Sequence, residues 1–403
     1  MLVSVNPATG KQAHQVESLD ESGLKQAIDA VGAAAQSWRT FSIAERAQVL
    51  NAVAARLREQ KDAIGALMTE EMGKPVKEAG PEVEKGAWCA EHYAEHAAEY
   101  LRDEMIDSDA SKSYVSYQAL GAILCIFPWN APIWVAMRGI VPALMAGNTV
   151  AMKHDPHVPA CAVALEKAFR DAGAPADILR NLPIPTELAE QAIRHPSIQA
   201  VSFTGSSKAG SIVASTAASE VKHSVLELGG SDPFVVLADA DLEAAADVAT
   251  LSRVINAGQS CIAAKRIIIE APVYEKFVDM LKERLAKLKV GDPTQADTDL
   301  GPIAREDLRE GLHRQVRQTI EEGAACLLGG ELPEGPGYFY PCTLLTDVTP
   351  EMCAFKEETF GPVMVAVKAE DADDALELAN HTEYGLGAAI WTADEKTALQ
   401  FAN

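Results

Sequence analysis

From Gly121 onward the chain repeats one pattern, in which a short apolar run is followed by a turn and a helix. Ala122–Phe127 is the first run, and a Pro-containing loop and a helix follow it. Thr149–Met152 is the second, with a helix from about Pro159. Ala200–Phe203 is the third, and Thr204-Gly205-Ser206 opens the next helix; Ser224–Leu226 and Phe234–Leu237 come after it. Short apolar strands alternating with helices specify a parallel α/β sheet. Past Asp239 a long helix leads towards Cys261, and Arg266–Glu270 restarts the alternation, which predicts a second α/β domain.

The residues before this region read as helices. Ser42-Ile43-Ala44-Glu45 is a capping box, and Val49, Leu50, Val53 and Leu57 follow at helical spacing. Gly73-Lys74-Pro75 stops the next helix. Ser111 to Leu120 alternates loosely, as an exposed hairpin does. At the other end, Thr392-Ala393-Asp394-Glu395 reads as a second capping box. The helix it opens is cut at Asn403, so the chain reads as truncated at its C-terminus.

Length and charge narrow the function. A chain of 403 residues makes two to three domains at about 150 residues each. Lys and Arg number 35 against 58 Asp and Glu, a net charge of -23, which argues against nucleic acid or an anionic membrane as partner. Any anionic ligand must then be held by local positive groups. No apolar stretch approaches the roughly 20 residues of a membrane span, and no signal segment precedes Asn6-Pro7-Ala8-Thr9-Gly10. The seven cysteines, Cys89, Cys125, Cys161, Cys261, Cys326, Cys342 and Cys353, are odd in number and contain no CxxC. Neither a disulfide framework nor a zinc site is supported. A reducing cytoplasm fits, with six thiols as core hydrophobes and one reactive.

Cys261 closes Asn256-Ala257-Gly258-Gln259-Ser260-Cys261. Gly258 permits a left-handed turn just before the thiol, and Lys265 and Arg266 nearby favour a thiolate; a buried structural cysteine is the alternative. Glu227, in Leu226-Glu227-Leu228-Gly229-Gly230, is either paired, or buried with a raised pKa as a usable base, or an exposed turn residue. Pro128-Trp129-Asn130 ends the first sheet strand, where open parallel sheets bind ligands. Asn130 offers an NH2 donor for a developing oxyanion, or is a simple turn residue. Thr204-Gly205-Ser206 either turns free N–H groups towards a phosphate or only caps its helix. Lys153, at a strand end, binds a phosphate or ribose, or is solvated. His92 and His96, in Glu91-His92-Tyr93-Ala94-Glu95-His96, do not form HExxH and read as a polar helix face.

Taken together, these segments resemble the aldehyde dehydrogenase superfamily. The resemblance rests on Phe127-Pro128-Trp129-Asn130, Val150-Ala151-Met152-Lys153, Phe203-Thr204-Gly205-Ser206, Leu226-Glu227-Leu228-Gly229-Gly230, Gly258-Gln259-Ser260-Cys261 and Glu357-Glu358-Thr359-Phe360-Gly361-Pro362, in this order. Lys153-His154, Ser231-Asp232-Pro233-Phe234 and Ala263-Ala264-Lys265-Arg266 are similar to its bacterial succinate-semialdehyde branch. The resemblance implies an NAD- or NADP-dependent oxidation of an aldehyde, most specifically succinate semialdehyde to succinate. Cys261 would be the nucleophile, Glu227 the base that activates water, and Asn130 with the Cys261 N–H the oxyanion donors. Pro128, Trp129, Lys153, Thr204, Gly205, Ser206, Gly229, Glu358 and Phe360 would hold the cofactor, Lys153 at the adenine-side ribose and Glu358 at the nicotinamide ribose. Arg138, eight residues after Asn130, would bind the substrate carboxylate, with Trp134 as an apolar wall; a local ion pair and plain packing are the alternatives.

The implied architecture is α/β, with two parallel sheet domains and an oligomerising β-hairpin. A cofactor domain would occupy 1–100 and 120–231, the hairpin 101–119, and a catalytic domain 232–403. A cytoplasmic homodimer or homotetramer would follow. The chain departs from the family pattern at three places. Pro156 stands where many NAD-preferring members carry a ribose-binding Glu. A Gly-rich turn is absent near Pro183–Leu188. Ile255 replaces an Arg found in some semialdehyde dehydrogenases. Two other classes compete: transfer of the thioester's acyl group to coenzyme A, and a non-catalytic binding protein. Glu227 argues against the first, and an intact Cys261, Glu227 and Asn130 set against the second.

Overall fold

A computed structural model describes residues 1–403. They divide into two compact units. The first comprises Met1–Val5, Gln12–Glu71 and Lys77–Glu227, and the second Asn6–Lys11, Met72–Val76 and Leu228–Asn403. No helix is long and apolar enough to cross a membrane.

In the first unit, helix α1 (Glu21–Trp38) starts on Asp20, whose carboxylate accepts the Gly23 N–H at 2.7 Å. It buries Leu24, Ala27, Ile28, Val31, Ala35 and Trp38, one face of a 3.6-residue period. Helix α2 (Ile43–Glu59) has the predicted capping box, with Ser42 and Glu45 each accepting the other's N–H. Helix α3 (Lys61–Met72) stops before Gly73, and α4 (Val76–Tyr100) follows. On α4, His92 lies within hydrogen-bond distance of the Tyr100 hydroxyl at 3.1 Å. Glu104–Met105 pairs antiparallel with Tyr114–Val115. The exposed hairpin therefore begins before Ser111, because its first strand supplies the partner that Tyr114 and Val115 need.

The sheet of this unit has five parallel strands: β1 (Ala122–Phe127), β2 (Thr149–His154), β3 (Leu179–Asn181), β4 (Ile198–Thr204) and β5 (His223–Glu227). Their order is β3-β2-β1-β4-β5. The central strand β1 is apolar throughout, as burial on both faces requires. Ile126 pairs with Lys153 on one side and Phe203 on the other, and Phe203 pairs with Leu226. One row across the sheet therefore brings the carboxyl ends of four strands level. Thr204 and Glu227 end β4 and β5 at this edge, and Asn130 and Gly205-Ser206 lie in the loops that leave it.

The segment after β1 is held from two sides. Helix α5 (Trp134–Met145) has no side-chain cap of its own. Glu82 of α4 serves instead, its Oε1 accepting the N–H groups of Ile133 at 2.9 Å and Trp134 at 3.1 Å. The ring of His154 lies 2.8 Å from the Pro132 carbonyl through Nε2, while its Nδ1 accepts the Asp155 N–H at 3.1 Å. These partners fix the neutral tautomer with the proton on Nε2. Burial pushes this imidazole down to about 4, so the arrangement persists at neutral pH.

The second unit holds a six-stranded sheet: β6 (Asp232–Val236), β7 (Ala264–Glu270), β8 (Ala325–Leu328), β9 (Thr343–Thr346), β10 (Val363–Ala369) and β11 (Ala389–Trp391). The order is β8-β9-β10-β7-β6-β11. All pairings are parallel except β8 with β9, so the expected parallel sheet carries one antiparallel edge strand. Along β7 the side chains alternate. Ile267 and Ile269 join one buried cluster and Ile268 the other, so both sheet faces are covered. Helix α6 (Leu242–Val254) follows β6.

The expected capping box at Thr392 does not form. Asp394 is the cap of the final helix, Glu395–Ala402, accepting from Lys396 and Thr397. The Thr392 hydroxyl donates to the Asp239 carboxylate at 2.9 Å and accepts the Asp394 N–H at 3.1 Å, so it supports the residue that caps the helix and does not cap it itself.

Glu82 generates a prediction. Glu82→Leu leaves two N–H groups at a buried helix start without their acceptor, and should lower stability by about 2–4 kcal/mol. Glu82→Gln keeps a carbonyl acceptor and should lose less than half of that. Urea midpoints of the three proteins would check the order.

Candidate active site

The loop bearing Cys261 is bent by three consecutive left-handed residues, Asn256 (φ 57°), Ala257 (φ 54°) and Gly258 (φ 74°). Two of them carry a Cβ, and each such residue costs about 1–2 kcal/mol, so neighbours must impose the shape. Gln259, almost wholly buried, does so. Its side-chain amide donates to the Asn256 carbonyl at 3.1 Å, and its Oε1 accepts the Ala304 N–H at 2.9 Å. The Asn256 amide in turn donates to the Gln259 carbonyl at 3.2 Å. At Gly258 a Cβ would collide with the Gly361 carbonyl, so this turn needs glycine for contact as well as for φ.

Two buried cations sit beneath the loop. Arg253 of α6 donates to the carbonyls of Thr359, at 2.8 Å, and Gly361. The Lys265 ammonium, at the start of β7, donates to the carbonyls of Ser260 at 2.8 Å and Cys261 at 2.7 Å. It also pairs with Glu358 at 3.2 Å. Burial pushes Arg253 down to about 9 and Lys265 down to about 8. The Glu358 carboxylate also accepts the Gly230 N–H at 3.2 Å, and its other oxygen lies where a Cβ of Gly229 would be.

Accessibility separates the cysteines. Cys261 and Cys326 are partly exposed and the other five are buried. Burial pushes the thiols of Cys125 and Cys342 up to about 12, and those of Cys89 and Cys353 to about 11. Cys326 is also raised by burial, and its sulfur donates to the Leu328 carbonyl at 3.3 Å.

In the first unit, the structure brings Arg138 and Glu227 together, with Nη2 and Oε2 3.5 Å apart. Of the alternatives open for Glu227, the geometry selects pairing over deep burial, because the carboxylate is 46% exposed. Its backbone carbonyl accepts the Gly205 N–H at 3.0 Å, which ties the end of β5 to the Thr204-Gly205-Ser206 turn. Ser206 is the cap of the helix Ser207–Ser219. Trp129 is buried, while Pro128 and Asn130 are half-buried beside it. The Trp134 ring is covered on one face by the Lys85 ammonium, 4.1 Å from its centroid. In the second unit, Phe360 is half-buried, on the loop that Arg253 holds.

A dinucleotide needs positive charge and spare donors at a strand end. Lys153 supplies them, being 4% exposed and donating to its neighbour His154's carbonyl at 3.2 Å. Burial lowers its pKa, and the Asp155 and Glu187 carboxylates oppose that shift. Pro156 lies in the turn that follows β2. The residues present therefore fit such a ligand.

Glu82 and Arg253 were not identified from sequence as residues of the site's framework, although a signal exists for both. Glu82 falls on the helix face that buries Ala79, Val83, Gly86 and Ala90. Arg253 falls on the face that buries Ala246, Ala249 and Thr250. A charge on an apolar stripe must be partnered.

The model of the aldehyde dehydrogenase family matches residues 1–403. A succinate semialdehyde dehydrogenase [NAD(P)+] of Escherichia coli (strain K12) is 44% identical over 400 residues, which cover 99% of this chain and 87% of that protein. A probable succinate-semialdehyde dehydrogenase [NADP(+)] of Synechocystis is 44% identical over 393 residues, with 98% and 87% covered. Among solved structures, succinic semialdehyde dehydrogenase from Streptococcus pyogenes in complex with NADP+ superposes with a TM-score of 0.97 at 32% identity, covering 100% of this chain and 89% of that one. The chain belongs to the aldehyde dehydrogenase family, whose reaction is the NAD(P)-dependent oxidation of an aldehyde.

Proposed function

We propose that this protein oxidises succinate semialdehyde to succinate. Its relatives in E. coli and Synechocystis bear that activity in their names. The observation that carries the reading is the guanidinium of Arg138 beside the Glu227 carboxylate. It offers a bidentate partner to a carboxylate at the far end of a short aldehyde. Trp134 is the apolar wall of the same stretch.

Cys261 is the nucleophile. Its thiolate attacks the aldehyde carbon, and the Asn130 amide and the Cys261 N–H stabilise the oxyanion. The nicotinamide, when bound, supplies the hydride acceptor that turns this adduct into a thioester on Cys261. Glu227 then takes a proton from water, which attacks the thioester and releases the acid. Lys153, Pro128, Trp129, Thr204, Gly205, Ser206, Gly229, Glu358 and Phe360 hold the cofactor, with Lys153 at the adenine-side ribose and Glu358 at the nicotinamide ribose. Nothing at Pro156 repels a 2′-phosphate, so both NAD and NADP serve, NAD somewhat better.

Three predictions separate these roles. Cys261→Ala should abolish reduction of the cofactor, while Glu227→Gln should give one equivalent per site and then stall. Rapid-mixing absorbance at the nicotinamide band distinguishes the two, and full steady-state turnover in Glu227→Gln would remove it as the base. Pro156→Glu should depress kcat/KM with NADP and leave NAD nearly unchanged; equal losses would place the ribose elsewhere. Arg138→Ala should lower kcat/KM for succinate semialdehyde about tenfold to a hundredfold through a lost charged hydrogen bond. Butanal, which lacks the carboxylate, should lose several-fold less. Equal losses on the two aldehydes would reduce Arg138 to a partner of Glu227 and leave the substrate assignment without its physical support.

A further inference from the structure

The Lys265 side chain is 1% exposed, and its nitrogen has three acceptors. Two are the consecutive carbonyls of Ser260 and Cys261, and the third is Glu358. Carbonyls of a bent loop that enters no helix or strand must find donors, and a neutral donor would suffice for them. A buried ammonium is a costly choice for that task alone. Its cost is reduced by the carboxylates that face it, Glu358 and Asp232, and increased by the guanidinium of Arg253. The residue nevertheless places a positive charge against the backbone of the one partly exposed cysteine in a glycine-bent loop. Gly230 closes the other side of the same carbonyl, where a Cβ would stand 2.7 Å from the Cys261 oxygen. The Cys261 carbonyl is thus packed between the Lys265 ammonium and the Gly230 backbone.

We propose that Lys265 is a positioning residue for the Cys261 thiolate, fixing the loop through two carbonyls and supplying the buried positive charge that favours the ionised thiol. This rests on Cys261 being the nucleophile and extends that reading to a residue that does not touch the substrate. Burial pushes Lys265 down to about 8. A group with that value is about nine-tenths protonated at pH 7 and loses its charge as pH rises past 8. Its influence on the thiol is therefore full below neutrality and fades in mild alkali.

The test needs neither aldehyde nor cofactor. Alkylation of Cys261 by iodoacetamide is followed from about pH 5.5 to about pH 9.5, where the thiolate is the reacting species, and the label is located by mass spectrometry of the modified peptide. In the wild-type protein the rate should reach half its plateau below about 8.5, the value of an ordinary thiol; a midpoint at or above that value overturns the proposal. Lys265→Met removes the charge and both hydrogen bonds. Lys265→Gln removes the charge and keeps a donor for a carbonyl, so it stands in if the Met variant does not fold. Either should lower the rate at pH 7 about tenfold, move the midpoint up by about one unit and leave the alkaline plateau unchanged. A folded neutral variant whose profile overlies the wild type overturns the proposal, because a purely structural lysine would not move the midpoint. If Cys261→Ala retains aldehyde oxidation, the choice of nucleophile fails, whereas the alkylation profile still decides what Lys265 does to the thiol.

Discussion

A backbone carbonyl that leaves helix and sheet without a donor is costly to bury, and the second unit is organised around meeting that requirement in two loops at once. The segment from Asn256 to Cys261 and the segment from Glu358 to Gly361 both turn inward, and Gly258 and Gly361 approach so closely that no side chain fits between them. Arg253 and Lys265 supply donors from helix and strand. Two cations in one core repel each other, and the Glu358 carboxylate between the loops offsets that repulsion. In the proposal made for Lys265, the same charges that close the loops also act on the thiol. Stability and reactivity are therefore hard to separate in this region.

The elements that could be read from sequence are those whose cause is local. The strand runs at Ala122–Phe127 and Arg266–Glu270, the box at Ser42 and the stop at Gly73 depend on residues a few positions apart, and the structure has them. The misreading at Thr392 is a shift of two residues, since the Asp394 carboxylate takes the free N–H groups of Lys396 and Thr397 while Thr392 is held by Asp239, far away in the chain. The antiparallel edge strand β8 escaped because its direction is set by its pairing with β9. Candidate site residues stood out where glycines or prolines flank a polar group, as at Asn130, Glu227 and Cys261. Their supports did not, because Glu82 and Arg253 lie inside helical patterns where the signal is a charge on an apolar stripe.

The first unit solves a related problem with opposite charge. Glu82 is a buried acidic residue under the start of a helix, where its Oε1 accepts two N–H groups that the helix itself leaves free. His154, held neutral on the other side, adds a donor without adding charge. On the His154 side, the segment that follows the Pro-Trp-Asn turn is held by an imidazole that burial, pushing it down to about 4, keeps neutral. An amide donor such as Asn130 acts through geometry alone, so a support that is insensitive to pH suits it.

A protein of net charge -23 is a poor attractor of anions at long range, but long range counts for little here. Exposed charges separated by more than about 8 Å are largely screened at physiological salt, so the local arrangement decides which anions are tolerated. Arg138 and Glu227 are both nearly half exposed, and pairs of that kind contribute roughly 0–1 kcal/mol. A carboxylate arriving on a substrate can therefore share or take over the guanidinium at little expense, because Arg presents five donors and Glu227 occupies few of them. In the reading proposed above, that exchange has a direction. A substrate carboxylate on Arg138 withdraws the partner that holds Glu227 as a tethered anion and leaves it free to accept a proton from water. An aldehyde without a carboxylate leaves the pair intact. Selectivity for a semialdehyde and readiness of the base are then two consequences of one weak ion pair.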